Sequence, residues 1–115
     1  MKDILGWTTK EQSKQLIAAG IVPKTHDMHY FLSSGIYQLR CTNHPAVAMN
    51  LFSYRNDFVI PIWSLGRLIE LMESFEGTKV SYDDGSWTVK QGDICCVGEC
   101  LPEVCIECLN KRKNN

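Results

Sequence analysis

The chain has 115 residues, a size typical of one domain and long enough to build a core without disulfide or metal staples. Its 44% hydrophobic and 22% charged residues exclude a disordered chain, and a formal net charge of −1 argues against a large electrostatic footprint for nucleic acid or anionic lipid. No stretch approaches the roughly 20 apolar residues of a membrane helix, and the N-terminus turns polar too early for a signal peptide. The chain is therefore read as soluble and cytoplasmic, with no membrane partner and its thiols kept reduced.

The first element is "TTKEQSKQLIAAG". Thr8 with Glu11 three residues on fits a capping box, and the spacing predicts a helix from about Thr9 to Ala19. Gly20 stands where a left-handed residue belongs, Ile21 is placed to pack back on Leu16 in a Schellman ending, and Pro23 blocks continuation. "MHYFLS" and "YQLRCT" follow, two β-favouring runs joined by "SSGI" with Gly35 in the turn. The stretch from Asn43 to Asp57 reads as a loop marked by Pro45 and its Asn and Asp residues, with a short strand near Leu51 to Tyr54. "FVIP" reads as a short strand ended by Pro61.

In "SLGRLIELMESF", Leu65, Leu68, Ile69, Met72 and Phe75 recur at helical spacing, with Arg67, Glu70 and Glu73 off the stripe. Ser64 is a natural N-cap, and this helix is expected to be the central core helix. "KVSYDDGSWTVK" carries the strongest hairpin signal, around Asp84-Gly85. The order of elements implies an α+β single domain over residues 1–115, with about three helices packed on a small antiparallel sheet built from two hairpins.

Five of the six cysteines lie in the last part of the chain: Cys95, Cys96, Cys100, Cys105 and Cys108. "ICCV" at Ile94 to Val97 reads as a buried strand or covered connection, with Cys95 and Cys96 pointing to opposite sides. Leu101, Val104, Cys105, Cys108 and Leu109 then form one apolar helix stripe, with Pro102 in the first turn. Cysteine packs as a small hydrophobe, so the pair Cys105 and Cys108 is expected to be reduced, buried and metal-free. The best zinc alternative joins Cys41 and His44 to Cys105 and Cys108, with Cys95, Cys96, Cys100, His26 and His29 in reserve. It would place one ligand pair inside a helix instead of on a knuckle. A redox C-x-x-C normally opens a helix after a strand, whereas this pair comes late in its helix.

Nucleophilic catalysis would need Cys41 beside His44, His26 or His29, yet no nucleophile elbow surrounds them. Asp83 and Asp84 are explained by turn chemistry, and the glycine-rich phosphate cradles of dinucleotide and P-loop proteins are missing from the sequence. The histidines of "HDMH", His26 and His29, lead into a strand and read as structural. The basic run Lys111 to Lys113 reads as a solvated tail favouring the negative end of its helix, which makes nucleic acid an unfavoured partner. No residue is assigned as catalytic, cofactor-binding or metal-ligating, and no cofactor is expected.

"TTKEQSKQLIAAGI", "DMHY", "IPIWSLGRLIELM" and "CLPEVCIECL", in that order, resemble a family of small uncharacterised proteins from prophages and mobile elements of Bacteroides-type gut bacteria. The likeness covers most of the chain, and "IPIWSLGRLIELM" is its most specific part. Members often end in a longer apolar helix with tryptophan and an "NGY"-like tail, where this chain has "CLNKRKNN". The resemblance implies a bacterial cytoplasmic setting and a phage-related origin, and it carries over no activity, cofactor or catalytic residue. The expected role is a small non-enzymatic accessory or protein-interaction module with a protein partner. The alternative is a zinc-binding or thiol-redox module using the C-terminal cysteines.

Overall fold

Helix α1 spans Lys10–Ala18 and is followed by a single 3-10 turn at Pro23–Thr25 in the computed structural model, which describes residues 6–41 and 59–113. Strands β1 (Met28–Ser33), β2 (Ile36–Cys41) and β3 (Val59–Ile62) precede helix α2 (Leu65–Ser74). Strands β4 (Thr78–Asp83), β5 (Ser86–Gln91) and β6 (Ile94–Gly98) lead into helix α3 (Leu101–Lys113). The domain is α+β, as its sequence implies. Its two hairpins, however, do not share one sheet. They lie in separate antiparallel sheets of order β2-β1-β3 and β4-β5-β6, because each hairpin is extended by a third strand, β3 beside β1 and β6 beside β5. The expectations for His44 and for a strand near Leu51 to Tyr54 lie outside the described residues.

Local chemistry explains the element ends. The capping box forms one residue later than Thr8 and Glu11: Thr9 Oγ1 accepts the Gln12 N–H at 3.1 Å and Gln12 Oε1 accepts the Thr9 N–H at 3.0 Å. Thr8 is occupied elsewhere. It is fully buried, with its Oγ1 2.7 Å from Ser13 Oγ and accepting the Trp63 N–H at 3.1 Å. The Schellman ending forms as expected, with Gly20 at φ 116°, its N–H on the Ile17 carbonyl and the Ile21 N–H on the Leu16 carbonyl, both at 3.0 Å. Ser34-Gly35 and Asp84-Gly85 all take positive φ between paired flanking residues, which makes both hairpin turns type I′. Pro61 does not end β3: it sits opposite His29 in an edge strand, where a residue without N–H costs no ladder bond on the outer side.

Ser64 caps α2 by accepting the Arg67 N–H at 3.2 Å, and its own N–H and hydroxyl donate to the Asp27 carboxylate. Leu68 and Met72 are buried, Leu65, Ile69 and Phe75 pack against the core, and Glu70 is exposed. The central helix is nevertheless α3, not α2. It buries Leu101, Pro102, Val104, Cys105, Cys108 and Leu109 and lies against β5, β6, α1 and α2, whereas α2 buries two residues. Trp63, unmarked by any periodicity, is fully buried and joins the N-terminal segment to the 3-10 turn through its Nε1–H, which donates to Thr25 Oγ1 at 3.1 Å.

Candidate functional site

Strand alternation divides the cysteine segment. The Asp83↔Ser86 and Gln91↔Ile94 turns fix the register, so Ile94, Cys96 and Gly98 face α3 while Cys95 and Val97 face outward. Cys96 is buried opposite Val89, and Cys95 is exposed opposite Lys90. A Cβ on Gly98 would lie 2.8 Å from Val104 Cγ2, so the missing side chain is what lets α3 approach the strand this closely. One helical turn beyond Val104, Cys108 lies beside Cys96 in the strand–helix interface. Cys105 is fully buried, with Cys96, Cys100 and Cys108 as its sulfur neighbours. Half-buried Cys100 precedes the helix; its carbonyl accepts the Val104 N–H and its sulfur accepts from Gln12 Nε2 at 3.4 Å, tying α1 to the start of α3.

Burial pushes the Cys96, Cys100, Cys105 and Cys108 thiols up from their ordinary values, Cys105 furthest because burial acts on it most strongly, with its sulfur neighbours adding to the effect. The thiolate is the nucleophile and the metal-binding form, and this setting disfavours it. What the arrangement does well is fill space. Cys41 is exposed at the end of β2, in the other sheet, and is not brought to Cys105 or Cys108. Among the described residues, no group of three or more His, Cys, Asp or Glu is placed to hold a metal ion.

His26 is buried with its Nδ1–H donating to the Pro23 carbonyl at 2.7 Å and its Nε2 without a partner. His29, in β1, stands edge-on with ring centroids 6.4 Å away. Burial holds both imidazoles below their ordinary range, His29 also through repulsion from His26 and Arg40. Neutral rings in this setting read as structural. The basic run is engaged with its own fold: Arg112 lies 4.5 Å over the Phe75 ring, Lys111 pairs with Glu107 at 3.1 Å and Lys113 Nζ donates to the Ala18 carbonyl at 3.4 Å. Among the described residues, no helix is long and apolar enough to cross a membrane.

The outward side of β6 is a different environment. Val97 is 58% exposed and borders a recess of about 280 Å³ between β6 and α3, walled by Glu99, Glu103 and Glu107. Periodicity marks Glu103 and Glu107 only as off the core stripe and leaves Glu99 unmarked; that all three flank a strand edge depends on how α3 crosses β6. No family model, curated protein or solved structure matches the chain.

Proposed function

We propose that this protein is a small protein-interaction module without catalytic activity, a cytoplasmic accessory component of a phage or mobile element. The observation that supports it is the construction of the C-terminal sheet, which commits one face to α3 and leaves strand β6, with exposed Val97, at an outer edge. Such edges are where chains recruit other chains. Protein is favoured over nucleic acid as the partner because Lys111, Arg112 and Lys113 already make contacts within the fold. The zinc or thiol-redox alternative has one observation in its favour, the closeness of Cys96 and Cys108, and the burial of both against it.

The test is a photo-crosslinkable residue placed at Val97, with the same residue at exposed Glu11 as control, in extract of a bacterial host. The reading expects a discrete protein adduct from the first position that excess unlabelled chain competes away. Turnover of generic hydrolase or transferase substrates by the pure protein, abolished by a single substitution, would overturn it.

A further inference from the structure

The N-terminal sheet stands outside the apolar core. That core joins α1, α2, α3 and the C-terminal sheet with Ile21 and Trp63, and among the described residues it takes in nothing from β1, β2 or β3. The sheet is held by the packing of α1 against β3 and by polar ties that converge on Thr25 and Asp27. Thr25 Oγ1 accepts the Trp63 indole N–H, the Thr25 carbonyl accepts Arg67 Nε–H at 3.0 Å, and the Asp27 carboxylate accepts both donors of Ser64. His26 lies between them, 1% exposed and edge-on to His29. A carbonyl only accepts, so the 2.7 Å contact with the Pro23 oxygen places the ring proton on Nδ1 and leaves Nε2 bare, buried and without a partner.

We propose that His26 is the trigger of an acid-released latch that holds the N-terminal sheet to the core. A second proton enters the ring only at Nε2, which puts a charged N–H where nothing accepts it. Among the described residues, the surroundings set one carboxylate against several cationic groups. Asp27 attracts the charged ring, but its oxygens are already engaged by Ser64. His29 of β1 faces the ring, Arg40 of β2 stands opposite His29, and Arg67 of α2 reaches the Thr25 carbonyl. Lys24 in the turn is exposed, and β3 brings no titratable side chain. Burial outweighs the pull of the Pro23 carbonyl and of Asp27, and it holds the closed ring below its ordinary value of 6.5. A released ring binds a proton that the closed ring refuses. Closure is therefore complete above about pH 6.5 and weakens as the pH falls through that value. Release is local, because the core of α3 and the C-terminal sheet includes no residue of β1 to β3. The latch needs no partner and stands apart from the interaction reading.

Hydrogen exchange read by NMR on the full chain tests this, with each rate divided by its intrinsic rate at the same pH. The range runs from about pH 7 to about pH 5, above the values at which most carboxylates titrate. Protection of the Trp63 indole N–H and the Ser64 amide should fall with pH, by up to about tenfold per pH unit for one histidine. Protection at Val89 and Cys105, inside the core cluster, should stay unchanged. The His26 ring itself should titrate with a midpoint below about 6.5. His26→Asn keeps an amide donor for the Pro23 carbonyl and takes up no proton, so it should remove the pH dependence and leave protection at pH 7 nearly as it was. His44→Asn should leave the pH dependence in place. Should His26→Asn fail to fold, the ring titration and the exchange profile of the unsubstituted chain decide by themselves. A His26 midpoint at or above 6.5, protection at Trp63 that ignores pH, or pH dependence that survives in His26→Asn would each overturn the proposal. Val89 losing protection in step with Trp63 would overturn it too, because the whole domain would then be unfolding.

Discussion

Cys95 and Cys96 are neighbours in sequence and opposites in environment. Cys96 lies in the core against Val89 and Cys108, and Cys95 faces water beside Lys90. The same division runs through the whole β6–α3 unit: Gly98, Val104, Cys105 and Cys108 face inward, and Val97, Glu99, Glu103 and Glu107 face outward. Cysteine spacing alone invites a metal or redox interpretation. Register and burial favour packing instead, because a setting between a strand and a helix raises the cost of the thiolate and uses the side chain as volume.

If the inward and outward sides differ as described, substitutions should sort by side. The largest effect is expected at Leu68, fully buried on α2, where Leu68→Ala should cost roughly 2–5 kcal/mol in chemical denaturation through lost burial plus a cavity. Glu70→Ala, two residues away and exposed, should change stability by less than about 0.5 kcal/mol, and equal effects would break the comparison. Next is Gly98→Ala, whose new methyl meets Val104 Cγ2; an overpacking loss of roughly 1–3 kcal/mol is expected. Adding Val104→Ala should then cost less than it does alone, because the pair shares one contact, and strict additivity would show that the close approach is not the cause.

Smaller changes follow at the cysteines. Cys105→Ala or Cys108→Val should preserve the cooperative unfolding transition with a loss of roughly 0.5–2 kcal/mol from imperfect volume matching. A structural metal site would instead unfold on losing one ligand. The smallest effects belong to the outward side, where Cys95→Ser and Val97→Thr should each move stability by less than about 0.5 kcal/mol, as measured by thermal or urea unfolding. A loss there as large as at Cys108 would mean that the outer face of β6 is covered.

The features legible in the sequence are those set by neighbours along the chain. The Schellman ending at Gly20, the Asp84-Gly85 turn, the Ser64 cap and the apolar stripe from Leu101 to Leu109 follow from local spacing. The capping box shows where that reasoning stops. Thr8 and Thr9 each have a suitable partner three residues on, and only the contact of Thr8 with Ser13 and Trp63 selects Thr9 as the cap. The division into two sheets, the central position of α3 and the buried role of Trp63 are likewise decided by which elements meet in space. The same holds for the candidate site. Inward and outward cysteines could be separated from alternation once β6 was read as a strand, but the need for glycine at position 98 and the acidic wall beside the strand edge arise only when α3 crosses β6.

The central claim, that the cysteine segment is a packing element with a reactive outer side and an inert inner one, is tested most directly by counting thiols in native buffer with and without a chelator. All six cysteines are unpaired, with Cys41 and Cys95 exposed, Cys100 half-buried, and Cys96, Cys105 and Cys108 buried. The account predicts fast labelling of Cys41 and Cys95, slower labelling of Cys100, and labelling of the other three only in denaturant, unchanged by chelator. Rapid labelling of Cys105 and Cys108 triggered by chelator, with release of a stoichiometric metal ion, would contradict it.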